Sequence, residues 1–123
     1  MSAALRRSWL VVIGTAVLGG VVLTAPLGAG EIALTVVNIE TPQGVKIWEP
    51  TTIVAKKGDT VTLKLINRHA DEHGFEIAAF GVKEVVDGNK AKDVTFKADK
   101  AGIFPIKCQL HPPHVTGQFV VLE

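Results

Sequence analysis

Turn signals recur so often in this chain that only short elements fit between them. Thr41-Pro42-Gln43-Gly44, Lys57-Gly58-Asp59, Asp87-Gly88-Asn89 and Asp99-Lys100-Ala101-Gly102 each carry residues that turns need. Glycine reaches positive φ without steric cost, and Asp and Asn bond their own backbone. The runs between them alternate with period two. TVTLKLIN (residues 60–67) sets Val61, Leu63 and Leu65 on one face and Thr62 and Lys64 on the other. DVTFK (93–97) pairs Val94 with Phe96, and ALTVVNI (33–39) is dense in β-branched residues. IFPIKC (103–108) and GQFVVL (117–122) complete the set. Pro105 marks an edge or bulge position, because proline lacks the N–H that a central strand donates. FGVKEVVDG leaves room for a helical turn, but no long amphipathic helix is visible. Period two over short runs, with Gly-containing turns between, predicts an all-β domain, an antiparallel β-sandwich or barrel.

Residues 1–30 stand apart from this pattern. Arg6 and Arg7 precede an uncharged apolar run, and Gly28 and Gly30 fit the small-x-small form of a cleavage site ahead of Glu31. That predicts a secretory signal peptide, and a periplasmic or otherwise extracytoplasmic domain of residues 31–123. The competing reading is an uncleaved anchor, since residues 8–30 are uncharged and about 20 apolar residues span a bilayer. Only then would the protein touch a membrane. The glycines and Pro26 weaken a helix there and favour cleavage. Without Arg6 and Arg7, Lys and Arg fall from 13 to 11 against 12 acidic residues, a net charge of −1. The charges are mixed along the chain, without the clustered basic face that nucleic acids need. A domain this small folds with a thin margin. A disulfide within the chain cannot widen it, because there is one cysteine. A packed core, a metal or association must do so.

That cysteine, Cys108, opens the string CQLHPPH, which also holds His111 and His114. Strand parity says where it points. In HGFEIAA, His73 shares its parity with Phe75 and Ile77, so all three face inward and Glu76 faces out. In IFPIKC, Cys108 continues the face of Phe104 and Ile106, with Lys107 outward. If these two strands run antiparallel, His73 and Cys108 meet at one end of the sandwich. The short loop with His111 and His114 can fold over the same end. Pro112 and Pro113 hold φ near −65° and stiffen it.

Thiolate and neutral imidazole are ligands that suit copper and zinc. Taken singly, each residue has a plainer explanation: a hydrogen-bonded core histidine, a small buried thiol, solvated loop histidines. Their convergence predicts a metal site of His73, Cys108, His111 and His114. His69, beside Arg68 and near Asp71, is expected at the surface or behind a ligand, and Glu72, opposite in parity to His73, is expected to be exposed. A thiol nucleophile is disfavoured, because Cys108 ends a strand and opens no helix whose N-terminus would activate it. A structural zinc site with one cysteine and three histidines, and a metal-delivery protein, are the alternatives to a redox site.

HGFEI, AFGVKEVV, FKADKAG and CQLHP together resemble the cupredoxins, small copper-binding Greek-key β-sandwiches, and are most similar among them to the nitrosocyanins, the red copper proteins. The resemblance covers residues 51–123. It implies a cupredoxin-like domain with one copper ion per chain, and it matches Cys108, His111 and His114 to the family's cysteine and two histidines. Where nitrosocyanins carry a glutamate ligand ahead of Gly-Phe, this chain has His73, and its loop between the two histidines is two residues shorter. The only methionine is Met1, so residues 31–123 offer no axial thioether. Gln118, Glu72 or a water are the candidates for an additional ligand. The resemblance implies single-electron transfer with a redox partner protein of the cell envelope. The alternative is an open copper site that binds or transforms a small molecule such as nitric oxide. By the same resemblance, a homotrimer is expected.

Overall fold

The computed structural model describes residues 28–123, so the signal-peptide reading of residues 1–30 lies almost wholly outside the described residues. Strands β1 (Glu31–Glu40) and β4 (Thr60–Asn67) form the middle of a four-stranded sheet. β2 (Lys46–Glu49) lies outside β1 and β7 (Ala91–Lys97) outside β4. A second sheet orders β3 (Thr52–Lys56), β9 (Gly117–Leu122) and β8 (Gly102–Ile106), while β5 (His73–Ile77) pairs with β6 (Val82–Val86). Just past β8, Glu76 and Lys107 exchange backbone hydrogen bonds of 2.8 and 3.0 Å in an antiparallel bridge, which ties β5 to the chain leaving β8.

The all-β sandwich expected from the turn spacing is present, with one correction to the uniformly antiparallel pairing. β1 runs parallel to β4 and β3 runs parallel to β9. β2 and β3 intervene between β1 and β4, one paired with each sheet, so the chain crosses layers and returns in its original direction. Period two is the same in parallel and antiparallel strands, so alternation could not distinguish them.

Inward faces follow the alternation. Val61, Leu63 and Leu65 of β4 are fully buried while Lys64 is exposed. They pack in one cluster with Ile53, Phe75, Ile77, Ile106 and Phe119 from the facing strands. Each such side chain contributes about 1.5–3 kcal/mol when taken out of water. One end of this core is aromatic. Phe80 meets Phe104 edge-on at 4.9 Å and Phe119 at 5.2 Å, and Phe96 meets Phe119 at 5.4 Å. Edge-to-face contacts place positive ring edges on negative faces.

The stretch that left room for a helical turn divides in two. Ala78–Phe80 is a single 3-10 turn, ended by Gly81 at φ 68°, and the valine-rich VKEVV that follows is strand β6. Pro105 lies on β8, at the edge of its three-stranded sheet, as its missing donor requires.

Candidate metal centre

At the end opposite the aromatic cluster, the inward faces of four strands turn from apolar to polar. On β1 the series Ile32, Leu34, Val36 ends in Asn38, and on β4 the series Val61, Leu63, Leu65 ends in Asn67. The two asparagines are register partners, and Asn38 Nδ2 donates to Asn67 Oδ1 at 3.1 Å. β5 begins with His73, and the face of β8 runs on through Ile106 to Cys108. The antiparallel bridge at Glu76 and Lys107 brings these last two together, as strand parity predicts.

His73 is fully buried, and Cys108 and His114 are 7% exposed. The Cys108 sulfur lies 4.0 Å from His73 Nδ1 and 3.5 Å from His111 Nδ1. Donor atoms of His73, Cys108 and His111 all fall within 4.8 Å of one another. His114 adjoins this group through its Nε2, 3.1 Å from His73 Nδ1. All four expected ligand residues therefore stand at one pole, three as a tight group and the fourth against it. Glu72 is exposed, as its parity predicts. Gln118 does not stand with them. It sits on the exposed face of β9, donates to Thr52 Oγ1 at 3.2 Å, and lines a surface groove of about 540 Å³ that contains none of the donors.

Local bonding explains why these side chains hold their places. Gly74 fixes the sulfur: its N–H donates to Cys108 Sγ at 3.2 Å, and its carbonyl accepts from Trp48 Nε1 at 2.9 Å. A Cβ at residue 74 would overlap the Gln109 side-chain amide, so glycine lets that amide pack against β5. The His114 N–H donates to the His111 carbonyl at 3.0 Å, closing a tight turn over Pro112 and Pro113. Val115 N then bonds the Lys46 carbonyl at 3.1 Å, which anchors the loop to β2.

The donor set fits a metal ion. Imidazole nitrogens at about 2.0–2.1 Å and a thiolate at about 2.3 Å from a tetrahedral ion lie roughly 3.3–3.6 Å apart. The observed separations of 3.1, 3.5 and 4.0 Å bracket that spacing. Burial holds the His73 imidazole down to about 4 from its ordinary 6.5, helped by His114, His111, His69 and Lys46. Burial also holds His114 down to about 4, helped by His111, Lys46 and His69. Both rings are thus neutral at pH 7 and keep a lone pair for a cation. Buried His114 Nδ1 has no hydrogen-bond partner among the described residues. Two cavities border the group. One of about 150 Å³ touches Lys46, His111 and His114; one of about 300 Å³ touches Lys107, Cys108 and His114.

Sequence reasoning missed Asn38, Asn67 and Glu40. The parity argument that found His73 and Cys108 also carries Asn38 and Glu40 on β1 and Asn67 on β4. Asn67 organises residues 68–72: its Nδ2 donates to the carbonyls of Asp71, Val86 and Asp87, and its Oδ1 accepts from His69 N at 3.0 Å. The turn at Gly88 packs so closely on the Ala70 carbonyl that a Cβ there would overlap it.

A family model described as a cupredoxin-like domain matches residues 16–121. Over 56 residues, 43% of the chain, the sequence is 45% identical to a nitrous-oxide reductase of Cupriavidus necator. A nitrous-oxide reductase of Ralstonia nicotianae is 43% identical over the same length. The matched stretch is 9% of each of these proteins, so the chain spans a small part of their length. Among solved structures, a copper nitrite reductase from Nitrosomonas europaea superposes with a TM-score of 0.65 at 22% identity, over 75% of this chain and 41% of that one. A multicopper oxidase, mgLAC, gives 0.62 at 15% identity, over 76% and 39%. At these identities the two structures bear on the fold alone.

Proposed function

The chain belongs to the family of cupredoxin-like domains, and from that premise we propose that it is an exported mononuclear copper protein that passes single electrons. His73, Cys108, His111 and His114 would hold the ion. The observation that carries this reading is the convergence of the Cys108 sulfur with the His73 and His111 nitrogens inside 4.8 Å, drawn from two remote parts of the chain. When bound, copper would supply a one-electron couple at a thiolate–imidazole centre.

The chain's own part is positional. Gly74 N–H and the bridge at Glu76 and Lys107 hold the sulfur and His73 on adjacent strands. The turn from His111 to His114 presents two rings from a segment stiffened by two prolines. A cage built before the ion arrives reorganises little when the ion changes charge, which suits electron exchange with a protein partner. The apolar run that follows Arg6 and Arg7 within residues 1–30 supports an extracytoplasmic site for that exchange. Trimeric association is supported by the nitrosocyanin resemblance alone, and molar mass in solution tests it.

A second reading has its own support. The chain contains a single methionine, Met1, so no thioether from residues 31–123 can close the coordination. With cavities beside His111, His114 and Cys108, a copper ion there would be open to a small molecule such as nitric oxide. The nitrous-oxide reductases among the similar proteins, matched over 56 residues, are consistent with chemistry of that class.

Absorption and electron paramagnetic resonance spectra of the copper-loaded protein test the first reading. An intense visible band with a copper(II) signal is expected, and a colourless protein that retains only zinc would sink it. A spectrum that shifts on adding nitric oxide or azide would favour the second reading.

A further inference from the structure

His69 belongs to no ligand set, yet each of its polar groups is engaged. Its backbone N–H donates to Asn67 Oδ1 at 3.0 Å, and its carbonyl accepts from Asn89 N at 2.9 Å. Its ring Nδ1 lies 3.2 Å from the Asp71 backbone N, 3.2 Å from His73 Nε2 and 3.5 Å from Asp71 Oδ2. Its Nε2 lies 2.8 Å from Glu40 Oε2. The ring is 20% exposed and Glu40 is 37% exposed, so a buried ligand is connected to a carboxylate that reaches water.

The Asp71 backbone donor and the Glu40 carboxylate favour one placement of the protons. A backbone N–H can only donate, so the Asp71 bond makes His69 Nδ1 an acceptor. The His69 proton then sits on Nε2, where the Glu40 carboxylate accepts it. In that placement the His69 Nδ1 lone pair is shared between the Asp71 N–H and His73, whose proton is then on Nε2. His73 Nδ1, the atom facing Cys108 and His114, is thereby left as a bare lone pair.

We propose that His69 and Glu40 form a positioning relay that sets the tautomer and ring orientation of His73, so that its Nδ1 is committed to the metal. The Glu40 charge, passed through two imidazoles, makes that nitrogen a stronger donor. A stronger donor favours copper(II) over copper(I) and holds the reduction potential down. The potential rests on the copper reading above; the tautomer does not. The outer partners of metal-bound histidines typically change metal affinity 10–100-fold when removed.

Long-range ¹H–¹⁵N spectra of the metal-free protein read the tautomers directly. His73 and His69 are both expected as the Nε2–H form. His73 protonated on Nδ1 would overturn the relay. In His69→Ala, His73 is expected to populate both tautomers, and copper(II) affinity to fall about tenfold. If copper(I) affinity is unchanged, a tenfold loss for copper(II) is a rise in potential of about 59 mV for a one-electron couple. His69→Gln, whose side-chain oxygen can accept from His73, should restore the tautomer, which a merely structural role for the ring would not predict. Glu40→Gln, near the surface and nearly isosteric, should raise the potential in the same direction while the fold and the His73 tautomer persist. Unchanged tautomers in His69→Ala, or an unchanged potential in both His69→Ala and Glu40→Gln, would refute the proposal. A colourless protein with His73 as Nε2–H would defeat the copper reading and leave the relay standing. A coloured protein with the other tautomer would do the reverse.

Discussion

The two ends of this sandwich are closed by opposite chemistry. At one end Phe80, Phe96, Phe104 and Phe119 interlock edge to face, and nothing there needs a partner from outside. At the other, β1, β4, β5 and the run-on from β8 carry Asn38, Asn67, His73 and Cys108 on their inward faces. The first end is satisfied by contact alone. The second gathers nitrogens and a sulfur that water cannot reach freely, and polar groups removed from water without partners cost free energy. Asn67 meets that demand with hydrogen bonds, whereas the Cys and His group is arranged for a cation. The contrast teaches that one end supports the fold and the other uses that support to hold an unfavourable arrangement in readiness.

Substitutions should separate the two ends. The largest effect is expected from Cys108→Ser in the copper-loaded protein: complete loss of the visible band, with a far-ultraviolet circular dichroism spectrum like that of the parent. A retained band would remove the sulfur from the metal and with it the contrast between the ends. Phe119→Ala should act in the opposite sense. It removes a fully buried ring that packs against the partly buried Phe80 and Phe96 and should cost about 3–5 kcal/mol in denaturant unfolding, while any population that stays folded keeps its colour.

Acid should weaken the polar end in the metal-free protein. His73 and His114 sit at about 4 when folded, against 6.5 ordinarily, so between those values the unfolded chain binds more protons. Stability should therefore fall as pH drops from about 6.5 to about 4, by a few kcal/mol, and level off below. His73→Phe should flatten that slope, and an unaltered slope would show that His73 does not set it. The smallest effect is expected at Gln118, which bonds Thr52 on the outer face of the sheet. Gln118→Ala should leave the spectrum unchanged and alter stability by no more than about 0.5 kcal/mol. A shifted band in that variant would bring the outer face of β9 into the metal site.

Much of the site was legible because strand parity is a local property. Phe75 and Ile77 oriented His73, and Phe104 and Ile106 oriented Cys108, before any pairing was known. The same rule applies to Asn38, Glu40 and Asn67, which were missed because a polar residue at the end of an apolar face has no meaning until its neighbours are known. β6 shows the limit differently. VKEVV does not alternate in residue type, since Glu84 shares the face of buried Val82 and Val86 while Val85 is exposed on the other, and its pairing with β5 decides its state.

Sequence alone determined that the domain is all-β and which side chains could hold a metal. Alternation and turn chemistry are written within a few residues, and ligand chemistry is a property of the residue type. Tertiary structure decided that β1 and β3 take parallel partners, that three of the donors fall within 4.8 Å, and that Glu40 of β1 stands behind His69. Those facts depend on where the chain returns after crossing between sheets. Such returns are selected by packing of the whole core, so no short stretch of residues encodes them.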